Sequence, residues 1–180
     1  MNLQDELQNL RLRVEQILRT QTSIPAHIGE LPPCTQGDEL CDALMKVIPI
    51  PIIRKDKIYD LEKNSVRGQY AGPPPKIYLQ NSLRSTVLLD VLLHEYTHYM
   101  HKHNAYVPIH RCELEAQAST YLILRHYNID CLEYSAFYLR EFGILHDPLT
   151  DFNRSTRAII NVVETIISQL EVNANILIAT

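Results

Sequence analysis

Hydrophobic positions recur along this chain with two periods, and the change of period divides it. Over residues 3 to 20, Leu3, Leu7, Leu10, Val14, Ile17 and Leu18 fall at helical spacing between Arg11, Arg13, Glu15 and Arg19, which predicts an amphipathic helix. Such a seam either packs the helix on its own domain or joins a partner helix, as in a dimer. Pro25, Pro32 and Pro33 interrupt the chain, and Asp38 to Val47 then reads as a short helix with Leu40, Ala43, Leu44 and Val47 inward. From Ile48 the period shortens to two. Ile48 to Arg54 alternates, but Pro49 and Pro51 cannot donate to a ladder, so the run suits a sheet edge or an extended arm. Val66 to Ala71 and Lys76 to Leu79 read as two strands around the stiff turn Gly72-Pro73-Pro74-Pro75.

From Ser82 the helical period returns. Ser82 is the expected N-cap of a helix running to His103, with Leu83, Val87, Val91 and Leu92 on its buried stripe. A second helix is expected over about His110 to Tyr127, then a turn at Asn128-Ile129-Asp130. A short helix follows from Leu132 to Phe142, closed by Gly143, and a loop over Ile144 to Asp151. Thr156 to Val172 closes the chain as a long helix with Ile159, Ile160, Val163, Ile166, Ile167 and Leu170 on its apolar face. The fold class these elements predict is α+β: a small twisted sheet against a helical body. The 180 residues most simply form one domain, with residues 1–65 a helix-and-strand region of candidate regulatory use and 66–180 the core.

Composition narrows the function classes. Hydrophobic residues at 46% and charged residues at 21% are those of an ordinary soluble domain. A net charge of −4 argues against non-specific nucleic-acid binding, and Arg54-Lys55-Asp56-Lys57 is too short and mixed in sign to form a basic stripe. The opening Met1-Asn2-Leu3-Gln4-Asp5-Glu6 is too polar for a signal peptide, and no apolar run reaches membrane-spanning length. Cys34, Cys41, Cys112 and Cys131 form no C-x-x-C pair, which fits free thiols in a cytoplasmic setting. Cys34 reads first as a loop residue. Its thiolate would also suit zinc, so a latent enzyme blocked by its N-terminal segment is physically allowed.

The chemistry concentrates in His94-Glu95-Tyr96-Thr97-His98. Four-residue spacing on a helix lets two imidazoles converge on one metal ion, with the glutamate beside it to take a proton from bound water. A catalytic zinc site needs a third protein ligand and an open position. Glu113 and Glu115 both lie on the next helix, about 200° apart around its axis, so one of them faces the histidines. Glu115 is the expected ligand, because Ala116 and Ala118 beside it permit close helix approach. His101, His103 and His110 are competing ligands, but each reads first as a polar loop or surface residue. Tyr138, Tyr134, Tyr121 and His126 are candidate oxyanion donors. Ile77-Tyr78-Leu79 is the expected sheet edge for an extended substrate.

The sequence resembles a known group. Gly68-Gln69-Tyr70, Lys76-Ile77-Tyr78-Leu79, the His94–His98 motif and Glu113-Leu114-Glu115-Ala116 together look like the ImmA/IrrE family of small zincin-type metallopeptidases. The tail from Ala118 to Leu139 is similar to the metallopeptidase domain of ArdC-like antirestriction proteins. The resemblance implies Zn2+ held by His94, His98 and Glu115, with Glu95 as general base and Tyr138 as a candidate oxyanion donor. The implied activity is endopeptidase cleavage of a specific regulatory protein. The alternative it implies is a non-proteolytic binding protein on the same scaffold, serving antirestriction or single-stranded DNA binding. Expected partners are thus a protein or peptide substrate rather than membrane or nucleic acid, with a dimer through the N-terminal helix as a further candidate.

Overall fold

The computed structural model describes residues 1–20, 31, 35–60, 63–143 and 148–174. In chain order these form α1 (Leu3–Thr20), α2 (Thr35–Val47), β1 (Ile52–Lys55), β2 (Gly68–Ala71), β3 (Lys76–Gln80), α3 (Ser85–Met100), α4 (Ile109–His126), α5 (Leu132–Tyr138), a π-helical turn (Leu139–Gly143) and α6 (Pro148–Ala174). The architecture is α+β, as the change of period predicts. Cys34 lies outside the described residues.

On α1, Leu7, Leu10, Val14 and Ile17 are buried at spacings of three and four, whereas Leu18 falls off the stripe and is exposed. The stripe packs on α4, α5 and α6. Arg13 grips Glu133 on α5 through two hydrogen bonds of 2.6 Å, and the Tyr121 hydroxyl donates to Glu6 Oε2 at 2.8 Å. The apolar stripe of α1 is therefore used within the chain, and Leu12 and Leu18 are the helix's exposed large apolar residues. Leu10, Leu44, Leu79, Leu92, Leu122 and Ile159 belong to one core, so α1 and α2 share it with the later elements.

The sheet has the order β1-β3-β2, with β1 parallel and β2 antiparallel to β3. Ile77 and Leu79 are fully buried, while the residues alternating with them are only partly so. β3 is thus the central strand, and the expectation that Ile77-Tyr78-Leu79 forms an open edge is wrong. β1 takes one edge, in keeping with the run behind Pro49 and Pro51. The edge beside α3 is β2. Gly68 makes that approach possible: a Cβ there would sit 2.5 Å from Val91 Cγ1 and 3.0 Å from Glu95 Cγ.

Helix α3 begins three residues after the expected Ser82, with Arg84 at its N-cap and no capping side chain. It and α4 end alike. Lys102 and Asn128 both adopt φ 58°. After α3 the His103 amide donates to the His98 carbonyl at 3.1 Å and the Lys102 amide to that of Tyr99 at 3.0 Å. After α4, Ile129 and Asn128 repeat this on Leu124 and Arg125, at 2.9 and 3.0 Å. Both are Schellman closures, in which the chain turns back over its own last turn. The single helix expected to reach Phe142 is α5 followed by a π-helical turn. α6 starts earlier than expected, with Pro148 at its first position, where a missing N–H costs nothing. Among the described residues no helix is long and apolar enough to cross a membrane.

Candidate metal centre

Two helices carry the site. The buried side of α3 presents His94 and His98 one turn apart, and α4 packs across it. The Thr97 hydroxyl donates to the Ala116 carbonyl at 3.2 Å, and Ala116 and Ala118 are fully buried. This close approach matches the sequence argument, but the face it selects is different. Ala116 lies three residues after Glu113, about 60° from it around the helix, and about 100° from Glu115. Ala118 stands in the same relation to Glu115, so it is the Thr97–Ala116 contact with α3, not the spacing, that marks the face of Glu113.

Accordingly His94, His98 and Glu113 bring their ligand atoms together. The two Nε2 atoms are 3.0 Å apart, Glu113 Oε2 is 3.3 Å from His94 Nε2, and Glu113 Oε1 is 3.5 Å from His98 Nε2. Tetrahedral zinc with bonds of about 2.0–2.1 Å sets its ligands about 3.3 Å apart, so the donor set fits. Glu115 points to the other side of α4. There it receives hydrogen bonds at 2.7 Å from Arg111, 2.8 Å from Ser155 and 2.9 Å from His103. The expectation that Glu115 joins the two histidines is corrected to Glu113.

The surroundings of the histidines are specific. His94 Nδ1 lies 3.0 Å from Gln117 Oε1, and the Gln117 amide donates to Ser135 Oγ at 3.0 Å, which leaves the carbonyl oxygen as acceptor. The His94 proton is thereby placed on Nδ1, and Nε2 turns to the site. Gln117 stands four residues after Glu113, a spacing from which the sequence already places both on one face. Tyr138 reaches the site from α5: its ring is 5.3 Å from that of His94 and its hydroxyl donates to Glu113 Oε2 at 2.7 Å. Tyr121 instead serves α1, His126 lies near Glu171, and Tyr134 bonds Asp90.

Glu95 is buried between α3 and β2. Gln80 donates to the Arg67 carbonyl, so by antiparallel alternation the Tyr70 N–H points off the open edge of β2. It donates to Glu95 Oε2 at 2.6 Å. This hydrogen bond could not be anticipated from sequence, because it depends on which strand takes the edge.

Electrostatics follow the geometry. Burial raises the Glu95 pKa to about 7 against the attraction of His94. Burial also opposes the His94 cation, but Glu113 outweighs it, through hydrogen bond and charge, and lifts that pKa to about 9. His98 is pushed down by burial and by the His94 charge. Glu113 is held at about 2, despite burial, by the His94 hydrogen bond and both imidazoles. Burial, then the Glu113 carboxylate, raises the Tyr138 phenol. Without metal, the pairing with Glu113 favours a proton on His94 over one on His98.

Comparison with known proteins finds no matching family model, no matching curated protein and no matching solved structure.

Proposed function

We propose that the chain is a zinc-dependent endopeptidase acting on a protein substrate, with His94, His98 and Glu113 as ligands and Glu95 as general base. The observation that supports it is the convergence of three ligand atoms at tetrahedral spacing beside a carboxylate anchored on a sheet edge. Held by His94, His98 and Glu113, zinc would supply Lewis-acid polarisation of the scissile carbonyl and would acidify the attacking water. Glu95 takes a proton from the attacking water and returns it to the leaving amine. The Tyr70 amide holds Glu95 Oε2 and fixes the side chain on the β2 side of the site. Tyr138, with its hydroxyl on Glu113, is the candidate donor to the developing oxyanion. An extended substrate would lie along β2 rather than β3, because β2 is the edge beside α3, with the Tyr70 N–H already given to Glu95. The resemblance to ImmA/IrrE metallopeptidases favours a regulatory protein as substrate and a cytoplasmic setting.

A second reading, a binding protein whose metal is structural, is favoured by one feature: Glu95 already caps a backbone amide and so has a structural use. Glu95→Gln separates the two. The amide keeps the shape but cannot accept the water proton. The variant should retain zinc and melting temperature while losing about 10²–10⁴ in kcat on a peptide library read by mass spectrometry, with little change in KM. Equal cleavage by fully zinc-loaded wild type and variant would remove the peptidase reading.

A further inference from the structure

Beyond the three ligands lies a second buried group that the mechanism does not use. It contains His103, His101 and Glu115, with Arg111 and Ser155 at its margin. His103 is 8% exposed, although sequence reading places it on the surface. The closure of α3 buries it. With Lys102 in the left-handed region, His103 is folded back onto His98, the pair that in the same closure of α4 is Ile129 over Leu124. The apolar contact usual at this position is replaced by two imidazoles whose Nδ1 atoms are 2.8 Å apart.

We propose that His103 and Glu115 are positioning residues that hold His98 in the tautomer whose Nε2 lone pair faces the metal. The inference rests on the reading of His94, His98 and Glu113 as the metal site. The proton order follows from Glu115. Its carboxylate is paired with the Arg111 guanidinium and has only acceptor oxygens to offer. Arg111 and Ser155 occupy Oε1, which leaves Oε2 to His103 Nε2 at 2.9 Å. His103 Nε2 carries a proton, His103 Nδ1 accepts, and His98 Nδ1 donates. His98 Nε2 is then bare and aimed at the ligand position. The His101 ring stacks on His103 at 5.0 Å and 6°, and its Nε2 lies 2.9 Å from Ser119 Oγ, so the relay ring is clamped in plane. Ser155 lies on α6, and the chain of bonds thus ties a ligand of α3 to α4 and α6.

His101, His103 and Glu115 also meet the distance criterion for a metal site of their own. The Arg111 guanidinium, 2.7 Å from Glu115 Oε1, opposes a dication there, and both His103 nitrogens are already engaged.

The test uses the full chain, zinc, and competition with a chromophoric chelator. His103→Leu should bind one zinc about 10- to 100-fold more weakly than wild type, the usual loss when a ligand histidine is deprived of its partner. His103→Gln, whose amide both accepts and donates, should recover most of the affinity. In zinc-loaded wild type, long-range 1H–15N spectra should show His103 neutral with its proton on Nε2; this needs no variant to fold. A proton on His103 Nδ1 would overturn the relay. So would unchanged zinc affinity in folded His103→Leu. Two zinc ions per wild-type chain, one lost in His103→Leu, would make the group a second metal site instead. If wild type binds no zinc at His94, His98 and Glu113, the metal reading fails first and this inference with it.

Discussion

At the scale of single residues, two glutamates on one helix divide two tasks. Glu113 closes the ligand triangle, and Glu115, on nearly the opposite side of α4, braces the histidine behind it. Glu113→Ala should abolish stoichiometric zinc in metal analysis of the purified protein. Glu115→Ala should keep one zinc per chain at reduced affinity, and the reverse ranking would return the ligand role to Glu115. The proton on His94 gives a second prediction. Its pKa of about 9 means that metal must displace a proton at neutral pH. Bound proton and bound metal compete, so zinc affinity should rise with pH by about tenfold per unit up to about pH 9. Calorimetry in buffers of different ionisation enthalpy should count about one proton released; none released would mean that His94 is already neutral.

Elements set where those residues stand. The left-handed Lys102 is the hinge of the relay, because without that turn the chain would run on and carry His103 away from His98. Lysine there bears the steric cost of its Cβ, which glycine lacks. Lys102→Gly should therefore stabilise the protein by about 0.5–1 kcal/mol in urea unfolding. A loss of stability would mean that the lysine side chain contributes more than its backbone costs. The approach of β2 to α3 likewise turns on one residue. Gly68 lets it lie against Val91 and Glu95, and a side chain at that position would force strand and helix apart.

For the whole molecule, the packing of α1 bears on regulation. Leu10, Val14 and Ile17 are fully buried in the common core, so residues 1–20 cannot leave as a removable block without opening it. Burial of side chains this size contributes about 1.5–3 kcal/mol each, against a typical domain stability of about 5–15 kcal/mol. Deleting residues 1–20 should therefore abolish cooperative thermal unfolding. A truncated protein that melts cooperatively and gains activity would support the latent-enzyme reading.

What the sequence determined by itself is local. The 3.6-residue period located α1, α2, α3, α4 and α6, the period of two located the strands, and four-residue spacing put His94 and His98 on one face. Each is a property of neighbours along the chain. Its misses were tertiary. The Ala116 clue was real, but whether it favoured Glu113 or Glu115 depended on the rotation of α4 against α3. β3 became central only when β1 paired with it from a distant segment. His103, polar and just past a helix end, looked like a surface residue until the closing turn folded it under His98 and Glu115 arrived from α4 to accept its proton. Periodicity fixes which residues share a face. Only the packing of one face on another decides what that face meets, because that choice is made by contacts between residues far apart in the chain.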